Sequence, residues 1–176
     1  MANDCPRCIV LGVGNPDRGD DGAGPAVARK LWELSIPDVE VIEHGGEATA
    51  LVAQMDGAAS VFLIDACASG APPGTVRRID VSAAPVPEEV ALGLSTHAFG
   101  PATAVELARS LGQLPHRCVI YTIEGASFTP GAPLSPPVAA GVGKVVARVR
   151  AEIAKAPRQG AAGCTNPVAQ SRICEK

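Results

Sequence analysis

Five apolar stretches punctuate the chain, each short enough to be a strand. Cys8 to Val13 reads CIVLGV, Val39 to Glu43 VEVIE, Val61 to Ala66 VFLIDA, Thr75 to Val81 TVRRIDV and Cys118 to Ile123 CVIYTI. Most are bounded by Gly, Pro or Asp, which end a strand cleanly. VFLIDA and CVIYTI have no polar alternate face, so both sides should be covered, as in parallel strands sheathed by helices. TVRRIDV differs, because Arg77, Arg78 and Asp80 predict an exposed edge.

Helical patterns fall between these runs. Pro25 opens PAVARKLWEL, a second helix covers roughly Ala48 to Met55, and Pro101 opens PATAVELARSLG with Gly112 as its stop. Ser135-Pro136 opens the last helix, in which Val138, Val142, Val145, Val149 and Ile153 recur at steps of four and three to form one apolar stripe. Strands alternating with helices predict a three-layer α/β sandwich: a mostly parallel, five-stranded twisted sheet with helices on both faces. Residues 1–156 read as a single domain without internal repeats. From Pro157 onward the period is lost among Gly, Ala, Pro and Gln, so 157–176 reads as a disordered tail, dispensable for activity.

Composition narrows the partners. A chain of 176 residues, 47% hydrophobic, can bury one sizeable core and leaves no room for a second domain. Its formal net charge of −3 offers no basic field to a nucleic-acid backbone or an anionic membrane. No apolar run reaches membrane-spanning length, and MANDCPRC puts an acid and an arginine where a signal peptide would carry its apolar core. These features predict a cytoplasmic protein. Six cysteines, scattered at 5, 8, 67, 118, 164 and 174, suit a reducing compartment. Cys5 and Cys8 have metal-ligand spacing, but only Cys164 and Cys174 in the tail could complete a structural zinc site, so plain thiols are the simpler reading. Cys67 and Cys118, in or beside buried strands, read as small hydrophobes.

In a wound sheet of this kind, ligands gather where loops leave the carboxyl ends of the strands. Three polar groups fall at such places: Asp20-Asp21 after the first strand, Asp65 at the end of VFLIDA, and His97 in LSTHAFG. Each has an innocent reading, as dipole partner, turn cap or satisfied structural histidine. Their convergence favours chemistry. A dinucleotide fingerprint would need G-x-G-x-x-G, whereas Gly12-Val13-Gly14 is followed by Asn15, Pro16 and Asp17. Carboxylates crowded at a helix N-terminus would also repel a pyrophosphate, and no Walker Gly-Lys-Ser/Thr occurs. Hard oxygen donors with one imidazole suit a divalent transition metal instead. His44 and Glu124-Gly125 belong to the same end of the sheet and are candidates to line a cleft, whereas His116 in a connecting loop reads as solvated.

The strings GVGNPDRGDDGAG, LIDA and STHAFG, in this order and spacing, resemble the signature motifs of the nickel-iron hydrogenase maturation endopeptidases, over roughly Ile9 to Arg150. The resemblance implies a protease that removes a short C-terminal extension from the hydrogenase large-subunit precursor once nickel is inserted. By position, Asp21 and Asp65 match the family's two metal-contacting carboxylates and His97 its imidazole, so these three are the implied catalytic and metal-contacting set. Gly14 and Asn15 match the GxGN turn. The implied metal is nickel carried by the substrate, with no nucleotide. The implied partner is the precursor; helices on both faces of the sheet and a site that must admit a protein substrate predict a monomer, and the wound topology predicts that Asp21, Asp65 and His97 gather around a shallow, solvent-accessible cleft. One region departs: His44-Gly45-Gly46-Glu47 stands where the family often shows a Gly-Thr or Gly-Gly-Thr turn. Whether nickel or an aspartate activates water stays open. Two other classes remain: a non-catalytic nickel-binding maturation chaperone, which would leave the precursor its full length, and a nucleotide-binding α/β module.

Overall fold

A computed structural model of the protein describes residues 7–86 and 100–155. Five strands, β1 (Cys8–Val13), β2 (Val39–His44), β3 (Ser60–Cys67), β4 (Val76–Asp80) and β5 (Arg117–Glu124), form one sheet in the order β2-β1-β3-β5-β4. The pairs β1 with β2, β1 with β3 and β3 with β5 are parallel, while β4 runs antiparallel to β5. β3 and β5, the runs without a polar face, are interior strands, and the charged β4 takes an edge as its pattern predicts.

Helices α1 (Ala23–Glu33), α2 (Ala48–Met55), α3 (Pro101–Ser110) and α4 (Pro136–Lys155) cover the sheet. Side-chain alternation sends Ile9, Leu11, Leu63 and Ile120 to one face, against α2 and α3. The opposite set, including Val10, Phe62, Ile64 and Tyr121, packs against α1 and α4. The valine stripe of α4 is seated there, with Val138, Val142, Val145 and Val149 buried and Ile153 half-buried. This is the three-layer sandwich.

One helix starts earlier than Pro25 suggested. A 3-10 turn, Gly19–Gly22, runs directly into α1 at Ala23 and leaves Pro25 inside the first turn. A proline is tolerated there because the first backbone N–H groups of a helix have no intrahelical partner. The helix start presses hard on the sheet. A Cβ on Gly24 would stand 2.2 Å from the Val13 carbonyl oxygen and 2.5 Å from that of Ile64, so only glycine lets α1 lie this close to β1 and β3. That contact fixes the 3-10 turn over the carboxyl ends of the two strands. No helix among the described residues is long and apolar enough to cross a membrane.

Candidate active site

The loop after β1 places Asp21 at the carboxyl edge. Gly14 turns the chain at a φ of 132°, in the region that favours glycine, and a Cβ there would sit 2.0 Å from the Asp21 carbonyl oxygen. The Asn15 amide donates to Asp21 Oδ2 at 3.1 Å, and the Asn15 side chain in turn accepts from the Asp17 amide at 2.9 Å. The GxGN string therefore builds a turn that folds back over an acid, with its amides engaged by the chain rather than by a phosphate.

Asp65 lies on the next strand. It follows Leu63 on the α2/α3 side of β3, opposite Thr122 of β5 and level with the last residues of β1 and β2. Its Oδ1 accepts from the Ala66 amide at 2.8 Å. Burial, and then the charge of Asp21, raise its proton affinity well above the usual carboxylate range, against the opposing pull of the Ala66 N–H. Thus the charge of Asp21 reaches Asp65, 44 positions away in sequence, at one end of the sheet. They do not line an open cleft: Asp21 is 1% and Asp65 7% exposed. The turn at Gly14 and Asn15 folds back against Asp21. His97 lies outside the described residues, as do Cys5, Cys164 and Cys174. Among the described residues, no three His, Cys, Asp or Glu side chains form a metal-holding group.

The neighbouring acids serve other purposes. Asp20, fully buried, accepts from the Ala126 amide at 2.7 Å, the Ser127 amide at 3.0 Å, the Ser135 amide at 2.6 Å and the Ser135 hydroxyl at 2.9 Å. Burial alone would raise its pKa, but the amides of Ser135, Ala126 and Ser127 outweigh it and hold the group below its ordinary value. Glu124 accepts from Cys67 Sγ at 3.1 Å, the Ser69 hydroxyl at 2.7 Å and the Gly70 amide at 2.8 Å, closing the turn after β3. Burial and this contact push the Cys67 thiol up to about 12, and burial pushes Cys118 to about 12 and Cys8 to about 11, so none is poised as a nucleophile. Glu47 is the N-cap of α2, its carboxylate accepting from the Thr49 and Ala50 amides. His44 ends β2 half-buried with Nδ1 accepting from the Gly46 amide at 2.9 Å, while burial pushes its pKa down against the charge of Glu47. It stands at the same end of the sheet as Asp65; His116 is exposed.

Fold and site together define an α/β protein whose first loop gathers carboxylates rather than phosphate-binding amides. A family model described as hydrogenase maturation protease matches residues 25–152, a stretch that begins just after Asp21 and includes Asp65 and His97. A protein of Methanocaldococcus jannaschii named for the same family is 31% identical over 158 residues, 84% of this chain and 96% of its own length. The hydrogenase maturating endopeptidase HybD of Escherichia coli superposes with a TM-score of 0.72 at 25% identity, covering 84% of this chain and 92% of that one. HybD of Thermococcus kodakarensis gives 0.63 at 26% identity, covering 85% and 99%. The chain belongs to the hydrogenase maturation protease family, a family of hydrolytic peptidases.

Proposed function

We propose that the chain is an endopeptidase that trims the C-terminal extension of a nickel-loaded hydrogenase large-subunit precursor, using the precursor's own nickel as the recognition element. The observation that carries this reading is the burial of Asp21 and Asp65 at the carboxyl ends of β1 and β3, where the charge of Asp21 raises the proton affinity of Asp65. Two carboxylates enclosed together are costly unless a proton or a cation offsets the charge. A divalent metal held by substrate thiolates, with coordination positions open, supplies that charge and accepts oxygen donors from both acids and a nitrogen donor from His97. A metal-free precursor brings no such charge to the acid pair and docks weakly, so nickel insertion licenses cleavage. Hydrolysis adds one water across the peptide bond at the junction of mature subunit and extension.

The names of related proteins support the substrate class: HybD of Escherichia coli is titled a hydrogenase maturating endopeptidase, and a relative in Thiocapsa roseopersicina, 54% of whose length is matched, a hydrogenase expression/formation protein. We further propose that the protein acts as a cytoplasmic monomer. The test is incubation of the purified protein with nickel-loaded and metal-free precursor, read by intact mass. The reading expects a shortened large subunit only in the loaded sample. An unshortened loaded precursor sinks it in favour of a binding protein.

A further inference from the structure

The two acids of Gly19-Asp20-Asp21-Gly22 do different work. We propose that Asp20 is a positioning residue for this peptidase site: it bolts the β5–α4 loop to the turn that carries Asp21, so that the loops on either side move as one body. The inference rests on the reading of Asp21 as a site residue and adds a role for its neighbour.

The geometry is specific. Asp20 reaches across more than 100 positions of sequence to collect four hydrogen bonds from one loop, three from backbone amides and one from the Ser135 hydroxyl. Its own amide donates to the Ser127 carbonyl at 2.8 Å, completing a reciprocal clamp. Flanking residues repeat the link: the Gly19 amide donates to the Ala132 carbonyl at 3.1 Å, the Gly131 amide to the Asp17 carbonyl at 2.8 Å, and Arg18 Nε to the Phe128 carbonyl at 3.2 Å. Gly19 itself approaches so closely that a Cβ would lie 2.6 Å from the Ser127 carbonyl oxygen. Every lone pair that Asp20 spends here is unavailable to a metal, so it is a poor ligand despite sitting beside one. Because it precedes Asp21 directly, any shift of its backbone displaces the Asp21 carboxylate relative to Asp65, and such displacement of a reacting group is costly in rate.

The chemistry separates graded variants. In Asp20→Asn the amide nitrogen can occupy the Oδ1 place, where it opposes only the Ser135 N–H, while the remaining oxygen keeps its three donors. Ser135→Ala removes one donor of four, and Asp20→Ala removes every acceptor and leaves the Ala126, Ser127 and Ser135 amides without it.

The test measures single-turnover processing of saturating nickel-loaded precursor, and separately its KM, for wild type, Asp20→Asn, Ser135→Ala and Asp20→Ala, with Asp21→Asn as reference. Hydrogen exchange on the same free proteins supplies the structural readout. The expected order is a rate within a few-fold of wild type for Ser135→Ala, intermediate for Asp20→Asn and lowered roughly 10- to 100-fold for Asp20→Ala. KM should change little, and lost amide protection should be confined to 15–22 and 125–135. Should Asp20→Ala fail to fold, the ranking of the other two with their local exchange decides the matter. Wild-type rates in all Asp20 and Ser135 variants alongside an inactive Asp21→Asn overturn the positioning role alone. Protection lost throughout the sheet, with rate falling only in proportion to the folded fraction, overturns it in favour of plain stability. Full activity of Asp21→Asn overturns the site reading beneath it.

Discussion

At the residue scale, neighbouring acids of the same type are sorted by what donates to them. Asp20 is saturated with amides and holds its charge, whereas Asp65 has the Ala66 amide and a like-charged neighbour and is driven toward its protonated form. The sign of the resulting pH dependence follows from linkage. A carboxyl whose folded pKa lies above its unfolded value binds more protons when folded, so its contribution is full below about pH 4 and is lost as pH rises through the folded pKa. Asp65→Asn keeps an acceptor for the Ala66 amide while removing the titration. It should therefore stabilise the metal-free protein near neutral pH by on the order of 1 kcal/mol, a rise in Tm of roughly 2–4 °C. That advantage should fade toward pH 4 in thermal melts. A variant less stable than wild type at pH 7 contradicts the assignment. Asp65 and Asp21 were legible in the sequence because a strand end and a glycine turn mark positions that ligands use. The role of Asp20 was not, since its partners lie in a loop more than 100 positions away.

At the element scale, the strand and helix patterns predict the sheet almost residue for residue, because buried parallel strands and one-faced helices carry strong periodicities. The start of α1 is displaced to Ala23, since tertiary contact at Gly24 outweighs the local signal of Pro25. Less visible is what ties α4 to the edge of the sheet. Glu152 of α4 bonds to Arg78 of β4 at 2.7 and 3.0 Å, to Arg117 of β5 at 2.6 Å and to the Tyr121 hydroxyl. The Arg78 contact, opposed by burial and aided by Tyr121 and Arg117, lowers the Glu152 pKa to about 2. A depressed acid contributes stability that is present above its unfolded value and is lost as pH falls toward the folded one. Glu152→Gln should thus cost about 2 kcal/mol at pH 7 in urea unfolding. The difference from wild type should shrink between about pH 4.5 and 2. An unchanged midpoint at pH 7 shows the network to be ornamental.

For the whole molecule, the wound topology is what makes a site from distant motifs. Parallel pairing sends the carboxyl ends of β1, β2 and β3 to one edge, where Asp65 and the loop bearing Asp21 lie and where β2 ends at His44, while His97, the third residue expected there, lies outside the described residues. The burial of the acid pair was not legible, because for Asp21 it depends on a turn that folds back through Gly14 and Asn15. Family membership, shown by a match over residues 25–152, agrees with the resemblance of the motifs. The account's central claim is that Asp21 and Asp65 act in processing and are more than turn formers. Its most direct test is the cleavage of nickel-loaded precursor by Asp21→Asn and Asp65→Asn, followed by intact mass, on protein whose Tm is at or above that of wild type. The account predicts processing slowed at least 100-fold in both variants, with the extension retained after wild type has finished. Cleavage at the wild-type rate by both would make these acids caps and turn formers, and contradict it.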